Sequence, residues 1–274
     1  MDRLNYLYDT DELFALSLQA GLNYDERPNQ PAVKKDEPFV LPRWRAVLVL
    51  LWFFLFDQDA LELFAQAILN LVRGIYPVIW LWSDSYKTLT IIYTIMTITS
   101  FFVIGWLCLP LFRYEYQNRK RNWRQVFRWL FIFYGVYFVL NYFSNIFIMG
   151  SVSINQQVVV SCLLTNPFWM SLILIFFGPF VEEMTFRVAL AGSFFRKHPI
   201  FSFLFSTFLF ALLHVWTEFT HGQWYQLSAI VGYFYDGLLI MGIYRLTKTA
   251  AAPVLLHMLF NATATIAVLA RYVW

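Results

Sequence analysis

The sequence predicts an all-α, polytopic transmembrane helical bundle of about seven spans. Three observations predict it. Of 274 residues, 59% are hydrophobic and only 14% charged, with a mean hydropathy of +0.56. Several apolar runs approach or exceed the ~18–20 residues a helix needs to cross a bilayer. Those runs are continuous rather than alternating, which argues against a membrane β-barrel. The net charge of +3 is small, and its placement is more telling than its size.

The chain divides into a polar N-terminal tail, 1–42, and an integral membrane domain, 43–274. The tail holds eight acidic and four basic residues and no apolar span. No basic stretch followed by a short apolar one appears, so no cleavable signal is expected. Residues 11–22 could form a short amphipathic helix, and Pro28, Pro31, Pro38 and Pro42 break any longer one.

The first apolar run, 46–56, is too short to span alone. Asp57, Asp59 and Glu62 interrupt it before apolar residues resume to 72, so one long helix over 46–72 is expected. Residues 73–82 suit the interface, where Trp80 and Trp82 would sit. The second span covers 88–112. Residues 113–128 then carry six basic side chains against one acidic, Glu115. That asymmetry places this stretch and the N-terminus in the cytoplasm, and the basic stripe beside two spans reads as membrane orientation, with no nucleic-acid partner. A third span follows at 129–149, an external loop at 150–166, and a fourth helix at 168–195. The fifth span is 200–216, an external loop 217–224, the sixth span 226–244 and the seventh 251–273. Cys108 and Cys162 match no metal or redox spacing.

Polar residues inside these spans form a small set. An ionisable side chain at membrane depth is expensive and marks a functional site by default. The fourth helix carries Glu182 and Glu183. Glu183 and Arg187 are four apart, share a helix face and can pair. Glu182, rotated ~100° from Glu183, is left for chemistry. The fifth helix carries His214 in its latter part. The seventh presents His257 and Asn261 four apart, on one face. A carboxylate, two imidazoles and an amide on three helices can perform hydrolysis. A glutamate partly removed from bulk water can take a proton from water as a general base. A histidine on a neighbouring helix can orient that water, and the His257/Asn261 face can donate to an oxyanion.

Glu182-Glu183-x-x-x-Arg187, Phe210-x-x-x-His214 and His257-x-x-x-Asn261, in this order and each on an apolar helix, resemble the three motifs of the type II CAAX prenyl protease family. That family is also called CPBP, for CAAX proteases and bacteriocin-processing enzymes. The proline before the glutamate pair matches too, and the resemblance covers about 168–265. It implies a glutamate-dependent intramembrane protease without a required cofactor. By motif position, Glu182 resembles the general base and His214 the residue that helps hold the water. His257 and Asn261 resemble the oxyanion pair, and Glu183 and Arg187 the supporting part of the first motif. One departure is Val188, where the family usually has glycine. The implied partners are the lipid bilayer and, as substrate, a peptide or a prenylated protein C-terminus. The implied location is the cell membrane.

Other chemistries are set aside on sequence grounds. A zinc-dependent membrane hydrolase is conceivable from the glutamates and histidines, but no His-Glu-x-x-His is present. An aspartyl intramembrane site would need a partner for Asp236, and no Gly-x-Gly-Asp exists. Ser193 lacks a nucleophile elbow. Neither repeats nor clearly broken helices point to a transporter. A non-catalytic immunity or scaffold protein of the same fold and, less favoured, the zinc-dependent membrane hydrolase remain as alternatives.

Overall fold

The computed structural model describes residues 39–59, 85–117, 123–147 and 152–272. The expectations for most of the N-terminal tail, for the second half of the first span and for the interfacial stretch 73–82 fall outside these residues. Among the described residues every regular element is helical and none is a strand.

Helix α1 (Arg43–Trp52) runs into π-helical turns at Phe53–Asp59. Helix α2 (Ser85–Leu107) breaks at Cys108 into α3 (Leu109–Gln117), and α4 is Trp123–Phe147. Helix α5 is Ile154–Thr165. Helix α6 is the unbroken helical run 167–194, in which π-helical turns at Ile173–Phe177 and Met184–Phe194 flank an α-helical Gly178–Glu183. Helix α7 (Pro199–Leu213) leads to the short α8 (Trp216–His221) and α9 (Trp224–Leu227), then α10 (Ile230–Thr247) and α11 (Ala251–Tyr272).

Among the described residues four helical stretches are long and apolar enough to cross a membrane: Leu89–Leu107, Trp123–Phe143, Trp224–Thr247 and Ala251–Tyr272. Two more, Ile154–Thr165 and Pro199–Leu213, are apolar but shorter. Large apolar side chains cover the outside of the long helices, among them Phe102 and Phe131, the latter 82% exposed. Water would penalise such a surface, whereas lipid tails match it.

The structure departs from the expected external loop at 150–166, most of which is helix α5. Ser153 caps it, its Oγ accepting the Gln156 N–H at 3.0 Å. Cys162 and Leu163 are buried with Met170, against Leu89 and Tyr93 of α2. The polar residues Asn155, Gln156 and Gln157 belong to the first turn, so they disguise an otherwise apolar helix. Twelve residues rise only ~18 Å, too little to span. The expected loop at 217–224 is likewise partly helical. Its α8 ends at Gly222, whose φ of +66° is the left-handed conformation that glycine adopts without penalty.

The core around α6 is aromatic. Phe186 meets Phe53 edge-on at 5.3 Å and Phe210 at 5.5 Å, so one ring joins α6 to the π-turns after α1 and to α7. Helices α7 and α10 approach closely at Gly237, where an added Cβ would lie 3.1 Å from Thr207 Cγ2. Small residues permit such contacts in lipid, where packing rather than water exclusion joins helices.

Helix ends are tied by charged side chains. Arg45 donates to the Leu107 carbonyl at the end of α2, at 3.2 Å. Glu115, the lone acid of the basic stretch, accepts from Thr249 Oγ1 at 2.6 Å and from the Ala250 N–H at 2.8 Å. It thereby anchors the start of α11, the helix that carries His257 and Asn261. At the start of the described chain, Leu41 is buried and its N–H donates to Ser193 Oγ at 2.8 Å.

Candidate active site

The site begins with an irregularity in α6. Within the π-turns the Gly178 N–H bonds the Ile173 carbonyl, five residues back. In α-helical register it would have bonded Leu174. The next residue, Pro179, has no N–H to offer. The Leu174 carbonyl thus loses its backbone donor twice over. Asn261 on α11 supplies the replacement, its Nδ2 donating to Leu174 O at 2.8 Å. Single π-turns of this kind are common at functional sites.

One turn further along, the two glutamates part. Glu183 is fully buried and faces two partners. Its Oε2 lies 3.0 Å from Arg187 Nε, and its Oε1 accepts from His257 Nδ1 at 2.9 Å. The first contact is an ion pair whose angle falls short of a hydrogen bond. Arg187, also fully buried, stacks its guanidinium 5.0 Å from the Phe210 ring and donates to Ser206 Oγ at 3.2 Å. Ser206 in turn donates to the Phe186 carbonyl at 2.9 Å. Arg187 therefore binds α6 to α7. Val188 is buried in the same core.

Glu182 points elsewhere. Its side chain is 25% exposed, and its Oε2 lies 3.9 Å from His257 Nε2. That is too long for a direct hydrogen bond and is a spacing that one bridging group can fill. Because a carboxylate only accepts, His257 Nδ1 must carry a proton toward Glu183. The imidazole thus stands between the two carboxylates.

His214 caps the C-terminal end of α7, where its Nδ1 donates to the Phe210 carbonyl at 2.8 Å. In the neutral ring this leaves Nε2 as an acceptor. Glu182, His214, His257 and Asn261 all line one cavity of about 620 Å³ between α2, α5, α6 and α11. The structure thus brings the four expected residues together, with Glu183 and Arg187 directly behind.

Residues 164–263 match the model of the Rce1-like type II CAAX prenyl endopeptidase family. This segment is similar to an Rce1-like CAAX prenyl endopeptidase domain. It runs from the end of α5 to Thr263 and contains all four cavity residues and the Glu183–Arg187 pair. No curated protein and no solved structure matches the chain.

Two features of this Rce1-like domain and its surroundings escaped the sequence. The amide of Asn261 is already engaged with Leu174. Tyr233 of α10 lines the same cavity, with its ring 4.5 Å from that of His214. The first needed knowledge of the π-turn, and the second of which α10 face meets α7. Among the described residues no group of three or more His, Cys, Asp or Glu side chains is arranged to hold a metal ion.

Proposed function

We propose that the protein is an intramembrane endopeptidase that hydrolyses a peptide bond with a water activated by Glu182. The observation that carries this reading is the position of Glu182 on the cavity, 3.9 Å from a histidine that Glu183 holds from behind. A water at Glu182 would give one proton to the carboxylate and point the other at His214 Nε2. Its oxygen would then attack the scissile carbonyl carbon. The resulting oxyanion would accept from Nε2–H of His257 in its doubly protonated, imidazolium form, with Glu183 supplying the compensating charge behind the ring. Asn261 would contribute its second amide N–H. Collapse breaks the C–N bond, and the proton on Glu182 passes to the leaving amine.

The substrate class that fits the family is a peptide or a prenylated protein C-terminus, presented in the bilayer. The membrane arrangement that fits the basic flanks is about seven spans with a cytoplasmic N-terminus, in the cell membrane. The test is identification of cleaved peptides in membranes carrying wild-type protein or Glu182→Gln, followed by turnover of one such peptide in nanodiscs. Glu182→Gln should fold and bind the peptide yet turn it over at least ~10²-fold more slowly. Wild-type turnover in that variant rules out the mechanism. An inert wild type, with a cellular phenotype unchanged by Glu182→Gln, makes the protein a non-catalytic immunity or scaffold protein. Activity abolished by chelator in metal-free buffer points instead to a zinc hydrolase.

A further inference from the structure

His214 is enclosed by a closed circuit of contacts. The Phe210 ring, one turn earlier on α7, and the Tyr233 ring, from α10, each lie 4.5 Å from its own. Tyr233 is fixed at its far end, where its hydroxyl shares a 3.0 Å hydrogen bond with Ser153 Oγ. Ser153 is the residue that caps α5. The next residue, Ile154, donates its N–H to Glu218 Oε1. Glu218 is fully buried on α8, four residues after His214. The circuit therefore leaves His214 through Tyr233, crosses the first turn of α5 and returns to the segment that follows His214.

Such a circuit does specific work at this position. His214 follows Leu213, the last residue of α7, so no further turn of that helix helps to hold its rotamer. The Phe210 carbonyl sets which nitrogen carries the proton, but one hydrogen bond leaves the ring plane able to swing. We propose that Tyr233 is the positioning residue for His214, its hydroxyl-anchored ring fixing the imidazole plane so that Nε2 stays available in the cavity. The proposal rests on the reading of His214 as the acceptor that holds the attacking water. Tyr233 itself touches no reacting atom.

The test uses the full chain in nanodiscs and two readouts. The first needs no turnover: the rate at which diethyl pyrocarbonate modifies His214, followed by peptide mass spectrometry. Tyr233→Leu should raise that rate several-fold, and Tyr233→Phe, which keeps the ring but loses its hydroxyl anchor, should raise it by less. The second is a double-mutant cycle on peptide turnover. Tyr233→Leu should lower kcat at least ~10-fold with KM within ~2-fold, and should add no further loss in a His214→Ala background. An unchanged modification rate in Tyr233→Leu overturns the proposal, as do additive losses in the cycle. Should Tyr233→Leu fail to fold, Ser153→Ala is read instead. It releases the hydroxyl anchor and should raise the modification rate in the same direction, and no rise overturns the proposal. If the wild type cleaves no peptide, the protease reading falls and the modification rate alone decides the role of Tyr233.

Discussion

His257 bridges two glutamates of neighbouring position and opposite surroundings. Its Nδ1 is 2.9 Å from Glu183, which is fully buried, and its Nε2 is 3.9 Å from Glu182, which opens on the cavity. Adjacent residues on a helix point ~100° apart, so one imidazole can reach both only from a separate helix. Helix α11 supplies it. One glutamate is thereby buried between two partners, and the other lines the cavity.

His257→Ala should slow peptide turnover by ~10²–10³ without abolishing substrate binding, since the lost donor acts mainly on the developing oxyanion. The measurement is kcat/KM alongside a binding isotherm for an uncleavable peptide. In the wild type, turnover should also decline as the pH falls, because a protonated Glu182 cannot accept the proton of water. That acidic limb should be absent from the residual activity of Glu182→Gln. Equal losses in binding and turnover for His257→Ala would assign it to substrate affinity instead.

Arg187→Ala should destabilise the fold by up to ~3–5 kcal/mol, because it leaves the buried Glu183 carboxylate with His257 as its one remaining partner of the two. The same change removes the link to Ser206 on α7. Thermal denaturation and folded yield in detergent are the measurements. Arg187→Lys should recover little, since a single ammonium cannot reproduce the contacts of the guanidinium to Glu183, Ser206 and the Phe210 ring. Wild-type heat stability in Arg187→Ala would refute the anchoring role.

Asn261 should show a mixed phenotype. Its Nδ2–H is the replacement donor for the Leu174 carbonyl, so Asn261→Ala leaves a part-buried acceptor without that partner, at no more than about 1–3 kcal/mol. A loss of roughly 10²-fold in turnover should accompany it if the second amide N–H serves the oxyanion. Asn261→Asp sets a carboxylate against the same carbonyl and should be less stable still. A fully stable Asn261→Ala with impaired turnover would show that the amide serves chemistry alone.

Much of the site was legible because helical spacing is a local property. Glu183 and Arg187 had to share a face, and so did His257 and Asn261, whatever the fold around them. The long apolar runs likewise declared membrane helices, and polar residues within them declared a site. Helix α5 was hidden because its polar first turn reads as a loop. Its cap at Ser153 is a local contact, but the burial of Cys162 and Leu163 arises only when α2 lies alongside.

The sequence by itself determined the membrane class, the faces of the helices and the residues available for chemistry, because these follow from hydropathy and from 3.6 residues per turn. Tertiary structure alone decided the pairings between helices. It gave Glu183 to His257, turned the Asn261 amide toward a carbonyl that a π-turn and Pro179 had left without a donor, and set Tyr233 against His214. The reason is physical. A donor or acceptor buried in a bundle must find its partner among the groups that packing brings within about 3 Å, and no periodicity along one helix specifies those groups.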